Sequence, residues 1–260
     1  MFLQRKKEEM KMAINKAFIA GTVSRVFLND GGNREFLNVT ICTEDQTKPR
    51  SDGTFPKAYI PVCLSGPIVD RLKEKVAEGK RVCVEGAFEP YRKDSKSATI
   101  YRVNASSFQL RDCGDFSHIV VQGRLTHDLE VRHTANGTPV ISMNLAVDRS
   151  YQDKNGEWQN VASFITVTVW DKEAEALAKA NYGIGKLLWI TGKLLSRSYE
   201  KDGKKYYPVE IVAESVIDGG SGKYNVGKEK PTSKKNDNPD ADQDFTYDGF
   251  SELDEELPFD

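Results

Sequence analysis

Short apolar stretches with a two-residue period run through the chain. From Val140 to Val147 the residues Ile141, Met143, Leu145 and Val147 share one face, and Ile165, Val167 and Val169 do the same between Ser163 and Trp170. Such alternation predicts strands with one buried face. Ile119–Leu125 and Leu187–Thr191 read as two further strands. Lys193–Tyr199, the Asp202-Gly203 turn and Tyr206–Val216 read as a final hairpin. Asn136-Gly137 is a tight hairpin signal, and Asn155-Gly156 marks a longer loop. The period changes once, at Ala174, Leu177 and Ala178. That predicts a helix capped by Asp171 and ending at Gly183 or Gly185.

The same order is written twice. Gly21, Gly32, Gly53, Gly79 and Gly86 are answered by Gly123, Gly137, Gly156, Gly185 and Gly192, at offsets of 102 to 106 residues. A period this long means two copies of one small domain. In the first copy the helix is expected from Pro67 to Gly79. Five short antiparallel strands with one helix between the third and fourth predict a mainly β Greek-key barrel, the oligonucleotide/oligosaccharide-binding (OB) fold. The expected organisation is an extension over 1–12, a first barrel over 13–112, a second over 116–217 and a tail over 219–260. Past Gly219 the chain is rich in Gly, Lys, Asn, Asp and Pro, with little to bury, and is expected to be disordered.

Charge is distributed unevenly. Residues 236–260 hold ten acids and no Lys or Arg, so residues 1–235 carry +8 within a chain of net charge -2. A basic body suits a polyanionic ligand. No apolar run approaches the roughly 18 residues of a membrane span, and Met1–Met10 lacks the apolar stretch of a signal peptide. Cys42, Cys63, Cys83 and Cys113 have no metal-ligand spacing, and are expected as reduced apolar filler in a cytosolic protein. No Ser/His/Asp or Cys/His set stands out, and the acids lie mostly in the tail or on loops. Neither an enzyme nor a cofactor or metal site is expected.

Candidate chemistry sits on the wet face of the third strand of copy two. Opposite Ile165, Val167 and Val169 stand Phe164, Thr166, Thr168 and Trp170. Tyr151 and Tyr199 are placed to join them. Burial in a second core or in a subunit interface would also explain such rings. As a ligand platform they would stack bases at roughly 1–3 kcal/mol each, whatever the base sequence. Arg124, Arg132, Arg149, Lys172, Lys186, Lys193, Arg197, Lys201, Lys204 and Lys205 are the cations placed to hold phosphates. Copy one is poorer. Its strand offers Tyr59, Pro61, Cys63 and Ser65, with Ser65 where copy two has Trp170 and Lys93 where it has Tyr199. Pro61 cannot donate to a ladder and predicts an edge or a bulge.

These residues resemble the bacterial single-stranded DNA-binding protein family. The likeness runs through Gly123–Arg132, Asn136-Gly137, Leu145-Ala146-Val147 and Glu210–Val216, and more faintly through Ile14-Asn15-Lys16 and Gly79–Gly86. The resemblance implies four barrels per particle, here a homodimer of the type with two barrels per chain. It implies base stacking at Tyr151, Phe164, Trp170 and Tyr199, and at Tyr59 in copy one. It also implies a role in replication, recombination and repair, with a nucleoid-associated, cytoplasmic location. Asp254, Glu255, Glu256, Leu257, Pro258, Phe259 and Asp260 would then form a tip that docks partner enzymes, with Asp260 displacing the terminal carboxylate by one residue from Phe259. An RNA-binding or protein-interaction module on the same fold is the alternative.

Overall fold

A computed structural model describes residues 13–30, 35–47, 49, 52–92, 99–152, 156–196, 199–201, 204–206 and 208–220. The extension 1–12, Lys93, Arg197, the Asp202-Gly203 turn and the tail from Ser221 onward, with its acidic tip, lie outside the described residues.

The first copy contains β1 (Asn15–Asp30), β2 (Glu35–Glu44), β3 (Lys57–Ser65), α1 (Pro67–Leu72), β4 (Arg81–Tyr91) and β5 (Ile100–Leu110). The second contains β6 (Phe116–Leu125), β7 (Val131–His133), β8 (Pro139–Gln152), β9 (Trp158–Trp170), α2 (Asp171–Ala180), β10 (Leu187–Ser196), β11 (Tyr199–Lys201), β12 (Lys204–Tyr206) and β13 (Val209–Asp218). The main strands form one continuous sheet ordered β2-β3-β5-β4-β1-β6-β10-β13-β9-β8-β7. It closes on itself twice, through β1–β2 and β6–β8, to give two five-stranded OB barrels. The β11–β12 ribbon stands apart as a two-stranded sheet.

Strand alternation puts the apolar side chains of both barrels inside. Ile141, Leu145, Ile165, Val167, Val169, Leu188 and Ile190 are fully buried in barrel two, and Ile41, Ile60, Leu64, Val82 and Val103 in barrel one. The duplicated glycines have a steric cause. The strand that follows each fourth strand carries a bulge, with Ser106 of β5 extra opposite Glu85 and Gly86, and Glu214 of β13 extra opposite Thr191 and Gly192. A Cβ on Gly86 would lie 2.3 Å from the Asn104 carbonyl, and one on Gly192 2.2 Å from that of Val212. Only glycine lets the backbones approach so closely.

The barrels are joined strand to strand. β1 and β6 pair antiparallel over six residues, from Asn15 opposite Val121 to Ala20 opposite Phe116. Ala17 stands opposite Ile119, its own counterpart at the 102-residue offset, so the seam has a local pseudo-twofold axis there. The capping of the next strands repeats across the axis. The Asn15 side chain both donates to Phe88 O at 2.8 Å and accepts from Phe88 N at 3.1 Å. Ser117 Oγ serves Leu194 in the same way, at 3.2 and 3.0 Å.

Several local expectations need correction. The residue at the N-cap of α2 is Trp170, extended and without a side-chain cap bond, while Asp171 is the first helical residue. The helix ends at Asn181 in the left-handed region, which Asn tolerates, before either glycine is reached. α1 stops at Leu72, and Gly79 instead provides a positive-φ turn into β4. The expected fourth strand and first hairpin arm of copy two form one continuous strand, β10. Pro61 sits in β3, flanked throughout by β2 but joined by β5 only at Val62 and Cys63. The four cysteines are free, and Cys83 and Cys113 bring their sulfurs to 2.8 Å.

Candidate nucleic-acid interface

The outer face of β9 follows the expected alternation for half its length. Phe164 is 58% exposed, among the most open large apolar side chains described. Thr166 is half-buried and donates to Asn144 Oδ1 at 2.7 Å. Further along, the face closes. β13 joins β9 in parallel at Val167 and Thr168, and Thr168 is wholly buried, donating to Glu210 at 3.1 Å. Thr168 therefore leaves the wet set, and Trp170 beyond it is half-buried. Cys63 of barrel one is buried for the same reason, because β5 pairs with β3 at that residue.

Register fixes where the described rings stand along β9. Phe164 is opposite Ala146, and Trp158 opposite Gln152, six residues along the same strand and so on the same face. In the backbone register Tyr151 is opposite Gln159. Trp158 is 53% exposed and was not among the expected platform residues. Its even spacing from Phe164 is the signal that points to it. Tyr199 lies on β11, opposite Tyr206; the side chains of Tyr151 and Tyr199 are outside the described residues. Tyr59 is half-buried on β3, and its N–H donates to Ser196 Oγ of barrel two at 2.8 Å. Burial and the adjacent Cys42 thiol push its hydroxyl up from the ordinary value.

The candidate cations divide by partner. Lys193 binds Asp45 of barrel one at 3.0 Å and the Thr47 hydroxyl at 3.1 Å. Arg149 binds both oxygens of Glu89 of barrel one, at 2.8 and 2.7 Å. Both thus hold the barrels together. Lys186 pairs with Asp218 at 2.6 Å, and that bond, with one from the Gly220 N–H, keeps the Asp218 carboxyl low. Arg124 donates to the Gly185 carbonyl at 2.9 Å. Arg132 is exposed on β7, 3.5 Å from Glu130, and Lys172 is exposed on α2. Lys201, Lys204 and Lys205 lie on the β11–β12 ribbon, where only the backbone is described.

Next to Phe164 the face is composite. Tyr101 of barrel one donates its hydroxyl to the Phe164 carbonyl at 3.3 Å and lies 3.5 Å from Thr166 Oγ1. Among the described residues no group of three or more His, Cys, Asp or Glu stands together to hold a metal, and no helix is long and apolar enough to cross a membrane.

The Single-strand binding protein family model matches residues 116–217, the second barrel. Single-stranded DNA-binding protein 1 of Lactococcus lactis is 35% identical over 55% of this chain and 99% of its own length. The single-stranded DNA-binding protein of Clostridium tetani is 39% identical over 55% and 99%. Among solved structures, wild-type single-stranded DNA binding protein from Thermus aquaticus covers 85% of this chain and 100% of its own. Its TM-score is 0.65 at 22% identity, a likeness of fold that extends across both barrels. With relatives matched over nearly their whole length at this identity, the chain belongs to the single-strand binding protein family.

Proposed function

We propose that this protein binds single-stranded DNA without sequence preference and shields it during replication, recombination and repair. The observation that carries this reading is Phe164, 58% exposed on the outer face of an OB barrel. An apolar ring left in water there suits base stacking, which every base supports. Trp158 adds a second open ring on that face, and Trp170, Tyr151, Tyr199 and Tyr59 extend the platform. The open cations Arg132 and Lys172 and the lysines of the β11–β12 ribbon hold phosphates. Arg149 and Lys193 act mainly by fixing one barrel against the other. No step makes or breaks a covalent bond, so the protein is a binder and not an enzyme. Its place is the cytoplasm, on exposed strands of the nucleoid.

The working particle is a homodimer. Phe18 (39% exposed), Phe116 (52%) and Ile217 (57%) share the outer face of the β4-β1-β6-β10-β13 sheet, where a second copy would cover them. Residues 254–260 then recruit replication and repair enzymes. Titration with oligo-dT tests the reading. Tryptophan fluorescence should be quenched, and affinity should fall as salt rises. Equal affinity for duplex DNA would contradict it, and tighter binding of an RNA oligomer would favour the RNA-binding alternative.

A further inference from the structure

We propose that Cys83 and Cys113 form a redox-modification site, a dithiol that a low-molecular-weight disulfide closes into one covalent bond, tying the linker between the barrels to barrel one.

The linker, residues 111–115, leaves β5 and enters β6 at Phe116. Strands β4 and β1 stand between those two in the sheet, so the linker crosses both. Cys83 lies on β4 between buried Val82 and Val84, and alternation turns it to the outer face. Cys113 meets it there from the linker. The two sulfurs are 2.8 Å apart, against about 2.05 Å in a disulfide. Both residues are half-buried, within reach of a small oxidant.

The backbone around the pair is already fixed. The Arg111 N–H donates to the Arg81 carbonyl at 3.1 Å. The Arg81 guanidinium donates to the Cys113 carbonyl and pairs with Asp115 at 2.6 Å, and Asp115 accepts from the Glu44 N–H at 2.7 Å. Closing the bond therefore asks only a small shift of two side chains. The other two thiols are placed differently. Cys63 is buried in barrel one, and Cys42 hydrogen-bonds Tyr59, which stands opposite it in the ladder.

The reaction is two exchanges. The Cys113 thiolate attacks one sulfur of the oxidant, forming a mixed disulfide and releasing one thiol. The Cys83 thiolate then attacks the Cys113 sulfur and expels the second. One S–S bond forms for one broken. The two cysteines give up two electrons to the oxidant, and their two protons leave on the two released thiols. The hydrogen bond with Cys83, and then burial, push the Cys113 thiol up, so little thiolate is present at neutral pH. Closure is slow, which suits a tie made under sustained oxidation rather than a catalytic dithiol. The bond spans 30 residues of chain and so constrains the unfolded state.

The test uses the full chain, incubated with oxidised glutathione, alkylated and digested with trypsin without reduction. Residues 82–92 and 112–124 should appear as one disulfide-linked pair of peptides. The thiol count after unfolding should fall from four to two, and dithiothreitol should restore it. The thermal midpoint of the oxidised protein should rise by roughly 5–10 °C, and Cys83→Ser and Cys113→Ser should each lose that rise. The peptide map is made on wild type, so it does not depend on either variant folding. Four free thiols after oxidation, glutathione retained on Cys113, or pairing with Cys42 or Cys63 would each overturn the proposal. A Cys83–Cys113 bond that leaves the midpoint unchanged would overturn its role as a tie.

Discussion

Lys193 of the second barrel holds Asp45 of the first, with Nζ 3.0 Å from the carboxylate. A residue whose strand and charge suit phosphate binding thus serves as an inter-barrel brace. Burial alone would raise the Asp45 carboxyl, but bonds from the Thr47 hydroxyl and N–H and from Lys193 hold it below the ordinary value. A depressed carboxyl contributes stability above its unfolded pKa, about 3.9, and loses it as pH falls through the folded value. Urea midpoints for wild type and Asp45→Asn should therefore differ at pH 7 and converge in acid below that range. A gap that is the same at both pH values would contradict the brace.

The bulge glycines should tolerate nothing larger. Gly192→Ala drives a Cβ to 2.2 Å from the Val212 carbonyl, and Gly86→Ala to 2.3 Å from that of Asn104, both backbone atoms that cannot step aside. Overpacking of this kind costs about 1–3 kcal/mol. Each variant should lower the denaturant midpoint accordingly. Gly53→Ala, which meets nothing within 4 Å but has φ 82, should lose less.

Assembly should follow the outer face of the seam. Light scattering should give twice the chain mass for wild type. Phe116→Glu, which puts a charge in the exposed apolar part of that face, should shift the mass toward a single chain. A monomeric wild type would remove the proposed homodimer.

Deleting residues 251–260 removes a like-charged competitor for cationic surface. Oligo-dT affinity should stay level or rise, while binding to partner enzymes is lost. A large fall in affinity would mean that the tip acts otherwise than as a docking peptide.

Much of the fold was legible because strand alternation and glycines are local signals. Gly86 and Gly192 match across the repeat by sequence alone, and the close carbonyls of Asn104 and Val212 explain why. What could not be read was which strand covers which face. Thr168 and Cys63 alternate as outward residues, yet β13 and β5 close over them through contacts about 40 residues away in sequence. Likewise, Lys193 and Arg149 look like free cations until Asp45 and Glu89 are brought up from the other barrel. Trp158 follows the Asn155-Gly156 loop signal in sequence, yet β9 extends back to include it.

The most direct test of the central claim is oligo-dT affinity for wild type, Phe164→Ala, Trp158→Ala and Ser65→Ala, each against a matched duplex. Wild type should prefer the single strand. Phe164→Ala and Trp158→Ala should each lose on the order of 1–3 kcal/mol, and Ser65→Ala little. Equal binding of duplex and single strand, or full affinity retained without the Phe164 ring, would contradict a stacking platform on the second barrel.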